Sequence, residues 1–329
     1  MHPAHLFRRR LTNPASLATA ATAGAAALAI SVAGSTTPAA AAPRAAGSAG
    51  IHQAHETTAA EQSAPRKIAA RAAELANAKT GKQLWGRRQY TARPIASITK
   101  VMTALVVVNA NHLDRRIKIT EADVRYAQDH NATSAGLQAG DVLTARQLLY
   151  AMMLPSGADA AMALADSFGP GSGAFVKKMN ATARDLKLVK THFTNFDGLL
   201  STDVSTPRNL LLLGEAVMGK SVIRDVVKTQ RYVLRAAPNH HRYLWINTNL
   251  LLGKYPGVIG IKTGWTDAAG ECLLFEATHN KRTLIGVVLH SAPTKSGATF
   301  TDATKMLNWG FGLSQAITVP RPPAGVPME

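Results

Sequence analysis

Cysteine is almost absent from this chain of 329 residues, and its single occurrence is Cys272. One cysteine excludes an intrachain disulfide and a cysteine metal cluster, so we expect Cys272 to be a small buried apolar residue. Charged residues are also sparse, at 17%, whereas 46% of the chain is hydrophobic. This composition excludes a disordered chain and predicts a folded domain with a substantial core.

No strongly apolar run near the N-terminus reaches the ~20 residues that a membrane span needs. Residues 1–41 have the pattern of a secretion signal instead, because the basic segment Arg8 to Arg10 precedes the small-residue apolar stretch Ser16 to Ala33. We place the cleavage before Ala42 and expect a secreted, cell-wall-associated protein. A retained N-terminal membrane anchor is the alternative.

Acidic residues are scarce: 20 Asp and Glu stand against 37 Lys and Arg, which gives a formal net charge of +17. Removal of the signal with its three arginines would leave +14. For an exported protein this charge favours anionic cell-wall polymers as partners. No nucleic acid is expected, because aromatic residues make up only 5% of the chain and the basic residues follow no binding motif.

The composition divides the chain into four segments. After the signal, residues 42–65 are rich in Ala, Gly, Ser, Thr and Pro and predict a flexible linker. Residues 66–313 carry the periodic apolar patterns of a folded domain, and residues 314–329 form a Pro-rich tail.

The apolar periodicity predicts strands at both ends of the folded domain and helices between them. Alternating segments at Ile68–Ala76 and Gln83–Gln89 predict a hairpin, and a helix is expected to begin at Ser97. The other predicted helices are Thr144–Met153, Ser156–Phe168, Gly173–Leu186, Pro207–Met218 and Ala298–Trp309, and the other predicted strands are Tyr232–Arg235, Tyr243–Ile246, Val258–Thr263, Cys272–Thr278 and Thr283–Leu289. The order predicts one α/β (α+β) domain with a mostly antiparallel sheet.

Ser97 and Lys100 form a Ser-x-x-Lys pattern where a helix is expected to begin. Residues three apart lie on one face of a helix, so the Ser97 hydroxyl and the Lys100 amine can meet, as a serine nucleophile and its base require. For Lys100 to act as a base, its pKa must fall from about 10.4 to about 7, a cost of roughly 4.6 kcal/mol. The helix dipole supplies only about 0.3–1 kcal/mol, so burial and a second cation must supply most of the shift. Alternatively, Ser97 is only a helix cap and Lys100 a solvated side chain.

Lys-Thr-Gly occurs twice in the sequence. Lys79-Thr80-Gly81 lies in the predicted hairpin turn, where glycine serves the backbone, and we interpret it as structural. Lys262-Thr263-Gly264 ends an apolar strand and precedes Trp265. A strand edge can line a cleft, so this copy can offer Lys262 as the second cation, and Thr263 and backbone N–H groups to a substrate.

Ser156 lies between these motifs, at the start of a predicted helix. Taken alone, it is interpreted as a helix N-cap. In the order Ser97, Lys100, Ser156 and Lys262, it can instead relay a proton to a leaving group.

With these motifs in order, residues 67–313 resemble the serine-type D-alanyl-D-alanine carboxypeptidases, the low-molecular-weight penicillin-binding proteins. Flanking segments that carry the resemblance are Thr80-Gly81-Lys82, Ala96 to Leu105, Gly136-Leu137, Gly140-Asp141, Leu148-Leu149-Tyr150, Thr191-His192-Phe193 and Tyr255-Pro256-Gly257-Val258. The resemblance implies a penicilloyl-serine-transferase, β-lactamase-like fold. Its antiparallel sheet has helices on both faces and a helical subdomain beside it.

The resemblance also implies the reaction and its site. The terminal D-Ala of peptidoglycan stem peptides ending in D-Ala-D-Ala would be removed through an acyl-enzyme, with β-lactam antibiotics as inhibitors and no cofactor or metal. The residues would be Ser97 as nucleophile, Lys100 as base and Ser156 as proton relay, with Lys262, Thr263, Gly264 and Trp265 binding substrate. Lys262 and Thr263 would hold the substrate carboxylate, and the backbone N–H groups of Ser97 and Trp265 would form the oxyanion hole.

Two alternatives remain beside this interpretation. Ala158 stands where the family usually has the Asn of Ser-x-Asn, which allows a catalytically impaired wall-binding protein of the same fold. A β-lactamase is the other, although no Glu occurs between Lys190 and Asp203 to activate a deacylating water, and Asp197 precedes Gly198 in a sequence typical of a turn. The adjacent His240 and His241 are interpreted as a surface loop and not as a metal-ligand pair.

Overall fold

A five-stranded antiparallel sheet lies at the centre of the computed structural model, which describes residues 64–319. The strands, in chain order, are β1 (Ala72–Asn77), β2 (Gln83–Arg87), β3 (Arg93–Pro94), β4 (Arg116–Lys118), β5 (Val142–Thr144), β6 (Val204–Ser205), β7 (Arg231–Leu234), β8 (Tyr243–Ile246), β9 (Val258–Gly264), β10 (Cys272–His279) and β11 (Arg282–Leu289). The sheet has the order β2-β1-β11-β10-β9, so the N-terminal hairpin joins the C-terminal strands as predicted. Strands β7 and β8 pair with each other in a separate small sheet.

Most of the chain between β2 and β7 is helical. In chain order, the helices of the described residues are α1 (Thr99–Asn109), α2 (Glu121–Asp129), α3 (Ala145–Met153), α4 (Ala158–Phe168), α5 (Ser172–Asp185), α6 (Pro207–Met218), α7 (Ser221–Val227) and α8 (Ala298–Phe311). None of these described helices has the length and apolar character needed to cross a membrane.

Helices cover both faces of the central sheet, as the sequence implied. Successive residues of a strand point to opposite faces. In β11, Ile285 belongs to the apolar cluster that contains Leu210 of α6, whereas Leu284 belongs to the cluster that contains Phe300 of α8. The sheet therefore separates two cores, and Cys272 is fully buried in the first, as predicted.

Helix α1 lies inside the helical part of the molecule. Its residues from Thr99 to Val107 are all buried, and it packs against α3, α4, α5 and α6. A helix that is apolar on most of its surface needs such a central position. Because α1 is enclosed, a polar side chain on its first turn is held in a fixed place.

The structure corrects several predicted boundaries. The first strand begins at Ala72 and not at Ile68, because the Ala69 and Ala70 N–H groups donate to the Asp302 carboxylate at 2.9 and 2.7 Å instead of joining a neighbouring strand. Helices α2 and α7 were missed. A capping box in which Thr120 and Asp123 exchange hydrogen bonds starts α2, and this Thr-x-x-Asp pattern was the available signal.

The signal at residues 1–41, the cleavage before Ala42 and nearly all of the linker at 42–65 lie outside the described residues. The Pro-rich tail is described only as far as residue 319. The division into four segments stays a prediction.

Candidate active site

Ser97 lies at the entrance to α1, in a short 3₁₀ helix formed by Ala96–Ile98. Lys100 follows on the first turn of α1, and its Nζ is 3.0 Å from Ser97 Oγ. The same Nζ donates a hydrogen bond of 2.8 Å to the backbone carbonyl of Asp197. The spacing of three residues therefore brings the hydroxyl and the amine together, as predicted. Ser97 is not a helix cap, because Ile98 occupies the N-cap position of α1.

The Lys100 side chain is enclosed, with only 1% of the residue exposed. Burial lowers the pKa of its ammonium group, because apolar surroundings disfavour the charged form. The carboxylates of Asp197, Asp159 and Asp203 act against this shift, and burial is the largest influence. Lys100 therefore gives up its proton more readily than a solvated lysine does.

Lys262 is a second buried lysine, also 1% exposed, on strand β9. Its pKa lies well below the ordinary value, first because of burial and then because of repulsion by Lys100. Its Nζ donates to the Thr263 carbonyl at 3.1 Å. Two lysines thus share a region of low polarity, where holding both charges is unfavourable. Burial, and not Lys262, is the main cause of the shift in Lys100.

Ser156 has a left-handed backbone, with φ of +71°, and is 4% exposed. The N-cap of α4 is Gly157, so the prediction that Ser156 caps this helix is wrong. Gly157 cannot carry a side chain, because a Cβ there would lie 2.6 Å from Ala135 Cβ and 2.8 Å from the Ala151 carbonyl. Ser156 Oγ is buried and has no hydrogen-bond partner among the described residues. A strained residue with an unsatisfied hydroxyl is typical of a functional position.

The end of β9 lies directly against the turn that carries Ser97. A Cβ on Gly264 would be 3.1 Å from Ser97 N, and also 3.1 Å from the Ile95 carbonyl, so glycine allows this close approach. The Thr263 Oγ1 atom is 2.6 Å from Thr248 Oγ1, which fixes its hydroxyl. Trp265 is the next residue after Gly264, so it lies immediately after this close approach to Ser97.

These residues surround one cavity of about 270 Å³. Six of the seven site residues predicted from the sequence line it: Ser97, Lys100, Ser156, Thr263, Gly264 and Trp265. Lys262 lies behind the wall and contacts it through Thr263. The sequence reasoning missed the remaining wall residues, which are His130, Asn131, Ala132, Thr133, Leu199, Thr266, Asp267 and Lys295. Lys295 Nζ lies 4.7 Å from the centre of the Trp265 ring, so a cation stands at this rim.

The loop at residues 194–203 supplies the carbonyl that holds Lys100. Asn195 Oδ1 accepts hydrogen bonds from the backbone N–H groups of Asp197 and Gly198, at 3.2 and 2.8 Å. Gly198 has a φ of +89°, and a Cβ there would lie 1.9 Å from the Ala96 carbonyl. Through these contacts Asn195 holds the loop that borders the cleft.

The loop on the other side of the cavity is held by Asp159, to which the sequence analysis gave no role. Its carboxylate accepts hydrogen bonds from Ser134 Oγ, Ala135 N, Leu137 N and Ala160 N, at 2.6, 2.9, 3.1 and 2.8 Å respectively. Ala158 N donates to the Thr133 carbonyl at 2.7 Å. Ala158 therefore contributes its backbone to this loop, and the contacts of Lys100 with Ser97 and Asp197 form without an amide side chain at position 158.

Among the acidic residues and histidines of the described chain, Asp267 and His130 line the Ser97 cavity. Asp267, an exposed residue, is the one carboxylate among the cavity-lining residues of the described chain. The exposed His241 has its Nδ1 atom 2.8 Å from Oδ1 of the buried Asp141, and His240 contacts the His241 carbonyl. Within residues 64–319, no group of three or more His, Cys, Asp and Glu is arranged to hold a metal ion.

Comparison with known families matches residues 56–293 to the model described as D-alanyl-D-alanine carboxypeptidase. A D-alanyl-D-alanine carboxypeptidase of a Streptomyces species is 42% identical over 259 residues, which cover 75% of this chain and 88% of that protein. The carboxypeptidase DacB2 of Mycobacterium tuberculosis is 32% identical over 249 residues, covering 74% and 83% of the two chains.

Solved structures of this kind have the same fold. The crystal structure of a Streptomyces DD-transpeptidase is 42% identical and superposes with a TM-score of 0.71 over 75% of this chain and 98% of that one. A D-alanyl-D-alanine carboxypeptidase structure from Mycobacterium tuberculosis, 32% identical, has a TM-score of 0.67 over 76% and 94% of the two chains. The helices and antiparallel sheet described above are therefore the penicilloyl-serine-transferase fold expected from the sequence.

Proposed function

Because the chain belongs to the D-alanyl-D-alanine carboxypeptidase family, we propose that it removes the terminal D-Ala from peptidoglycan stem peptides through an acyl-enzyme on Ser97. It is a serine-type hydrolase of this class. The observation that carries the assignment to Ser97 is its hydrogen bond of 3.0 Å with the buried Lys100. A neutral amine at this distance is able to accept the serine proton.

In the acylation step, Ser97 Oγ gives its proton to Lys100 Nζ and attacks the carbonyl carbon between the two D-Ala residues. The negative charge on the carbonyl oxygen is held by the backbone N–H groups of Ser97 and Trp265. The low pKa of Lys100 supports this role, since the lysine must be neutral before the attack.

The leaving D-Ala needs a proton on its nitrogen when the peptide bond breaks. We assign the delivery of this proton to Ser156, whose unpartnered Oγ lies in the wall of the same cavity. Ser156 passes on the proton that Lys100 has taken from Ser97. Water then attacks the acyl-enzyme, releases the shortened peptide and restores the serine hydroxyl.

The terminal carboxylate of the substrate is assigned to the Thr263 side of the cavity. Thr263 offers its hydroxyl, and the Lys262 amine lies behind the strand, where it is hydrogen-bonded to the Thr263 carbonyl. β-Lactams carry a carboxylate and a reactive amide in a similar relation, so they acylate the same serine in this proposal.

Release of D-alanine from a peptide ending in D-Ala-D-Ala tests the proposal, together with the intact mass of the protein after treatment with benzylpenicillin. We expect D-alanine release and one added penicilloyl group, both lost in Ser97→Ala. D-alanine release without an adduct would question the acylating serine. An inert protein would favour the impaired wall-binding alternative, and rapid penicillin turnover would favour the β-lactamase.

Transfer of the acyl group to an amine is a second candidate function, because the 42% identical match from Streptomyces K15 is named a carboxypeptidase in one comparison and a DD-transpeptidase in the other. In transfer, an amine replaces water in the second step. Adding glycylglycine to the assay and separating the hydrolysed product from the transfer product measures the balance.

Export and wall association belong to the same proposal. They are supported by the N-terminal pattern and by the formal charge of +17 on the full chain. Mature protein recovered outside the cells should begin at Ala42 and should elute from isolated cell walls as salt is raised. Retention of residues 1–41 would support the membrane-anchor alternative.

A further inference from the structure

The end of the central sheet that meets the Ser97 turn also carries a group of basic residues. Arg71 directly precedes β1, Arg88 follows β2 and His290 follows β11. These three strands are antiparallel neighbours, so the three residues lie at the same end of the sheet. The Arg71 N–H donates to the His290 carbonyl at 3.2 Å, which joins two of them directly.

Arg93 on β3 adds a further cation to this group. Its Nε atom is buried and has no hydrogen-bond partner within residues 64–319. Burial, followed by repulsion from Arg71 and Arg88, lowers the pKa of its guanidinium group. The His290 Nε2 atom is also buried without a partner in the same described range. Two unsatisfied nitrogen atoms therefore lie where positive charges converge, which is typical of a position that binds a ligand.

No acidic residue balances this group of cations. None of the ion pairs in the described part of the chain includes any of its arginines. The sequence contains no Asp or Glu from residue 75 to residue 113. The Cys272 thiol lies close enough to influence Arg93, but burial raises the pKa of this thiol to about 12, so it stays uncharged. Like charges held together in this way are stabilised by a bound anion.

The number of guanidinium groups indicates the chemistry of the anion. One planar guanidinium group can bind both oxygen atoms of a carboxylate, so a carboxylate would leave the donors of two arginines unused. A phosphate group has more acceptor oxygen atoms, which are arranged in a tetrahedron, and it can accept from several arginines at once. The arrangement therefore favours a phosphate over a carboxylate.

We propose that Arg71, Arg88 and Arg93 form a binding site for a phosphate group, supplied either by the phosphodiester backbone of an anionic polymer or by free phosphate. None of the three lines the Ser97 cavity, so the site is separate from the catalytic one and does not rest on the proposed reaction. Strands β1 and β9 are three strand spacings apart in the sheet, about 14 Å. A phosphodiester chain bound at this site would lie beside the cleft without occupying it.

Three substitutions of arginine by glutamine separate this site from the general charge of the protein, because each removes one charge. Arg93→Gln and Arg88→Gln alter the site itself. Arg88 is exposed, so its substitution tests the site even if Arg93→Gln unfolds. Arg231→Gln is the matched control, because Arg231 is an exposed residue of β7 and takes part in none of the ion pairs of the described chain.

The experiment is isothermal titration calorimetry with inorganic phosphate and, separately, with poly(glycerol phosphate), at constant ionic strength. The wild-type protein should bind each probe saturably. Arg93→Gln and Arg88→Gln should each weaken binding by about tenfold, the effect of losing one hydrogen bond between charged groups. Arg93→Lys keeps the charge but loses the planar fork, so it should fall between wild type and Arg93→Gln. Arg231→Gln should stay within about twofold of wild type.

The outcomes that would overturn the site are distinct from those that identify the source of the phosphate. The site is wrong if neither probe binds saturably, if binding is unchanged in either folded variant of Arg88 or Arg93, or if Arg231→Gln loses as much affinity as they do. Tighter binding of the polymer, per phosphate, than of inorganic phosphate would identify a phosphodiester chain as the ligand. Equal or weaker binding of the polymer would identify free phosphate. Thermal unfolding of each variant confirms that the fold is intact.

Discussion

The tripeptide Lys-Thr-Gly occurs in two regions of this molecule with opposite surroundings. Lys79 and Thr80 are exposed in the turn between β1 and β2, whereas Lys262 and Thr263 are buried at the end of β9. The same three residue types thus form a solvated turn in one place and the wall of a catalytic cavity in the other. Position and burial, and not residue type, separate the two copies.

The contacts of the first copy are those of a turn. Asn77 Oδ1 accepts hydrogen bonds from the backbone N–H groups of Lys79 and Thr80, at 2.9 and 3.1 Å. Gly81 has a φ of +66°, which glycine adopts without steric cost. In the second copy, Gly264 is needed because the backbone of Ser97 passes so close. Gly81 is needed for its backbone conformation, whereas Gly264 is needed because two segments of the chain approach closely.

The largest difference is expected between Lys262→Ala and Lys79→Ala. Loss of Lys262 removes the buried amine that contacts Thr263, and kcat/KM should fall by about 10²–10³-fold. Lys79→Ala should leave kcat/KM unchanged, because its side chain is exposed in the turn. Steady-state release of D-alanine measures both. A Lys262→Ala protein with near wild-type activity would contradict the functional difference between the two Lys-Thr-Gly copies.

Substitution of Gly264 should lower the activity, whereas substitution of Gly81 should lower the stability. Gly264→Ala crowds the Ser97 backbone, so we expect kcat/KM to fall by about tenfold or more, since small displacements of reacting groups slow the reaction. Gly81→Ala forces a side chain into a left-handed conformation and should lower the free energy of unfolding by about 1–2 kcal/mol. Activity and urea unfolding are measured on both. Equal activity losses would contradict this division.

Two buried glutamates of the central sheet, one on β1 and one on β10, should respond to pH in the same way. Glu74 on β1 and Glu276 on β10 each have a pKa raised by burial to about 7, against 4.5 ordinarily. Between pH 4.5 and pH 7 the folded state binds a proton that the unfolded state has lost, so the free energy of unfolding falls as the pH rises through this range. Above pH 7 this contribution to stability is lost. Glu276→Gln should therefore gain stability relative to wild type between pH 5 and pH 8, by about 2 kcal/mol.

Urea unfolding of both proteins at the two pH values provides the measurement. Glu74→Gln should behave similarly, because the pKa of Glu74 is also raised to about 7 although its carboxylate pairs with Arg208 at 3.4 Å. A difference between wild type and Glu276→Gln that does not change with pH would show that Glu276 keeps its ordinary titration.

The smallest expected effect belongs to Asn77→Ala. Two hydrogen bonds to the turn are lost, and the free energy of unfolding should fall by about 1 kcal/mol because water replaces them in this exposed segment. Activity should not change. A lower kcat/KM in Asn77→Ala would show that the turn communicates with the cavity, which would weaken the contrast between the two copies.

Much of this arrangement followed from local sequence. The pairing of Ser97 with Lys100 needs only helical spacing, and the strand before Lys262 distinguishes the second Lys-Thr-Gly from the first. The motifs of the family in order then gave the fold and the class of enzyme. These signals were sufficient because each depends on residues close together in the chain.

Other parts of the site depend on contacts between distant segments. Ser156 has a left-handed backbone and the next residue, Gly157, packs closely against Ala135 and Ala151, so the helix cap that Ser156 suggests when taken alone is not formed. The hydrogen-bond acceptor for Lys100 is the backbone carbonyl of Asp197, and no sequence pattern indicates a backbone acceptor. Lys295 reaches Trp265 from a loop 30 residues later in the chain. Such contacts appear only when the chain is folded.

The close approach of Gly198 to Ala96 has a consequence for how this enzyme tolerates mutation. Any amino acid at position 197 presents a carbonyl, so the contact with Lys100 does not depend on which side chain is encoded there. It depends on the neighbouring position, where a Cβ would lie 1.9 Å from a carbonyl oxygen. In a library of variants selected for function, position 198 should retain only glycine. The geometry of part of the active site thus depends on a residue that has no side chain.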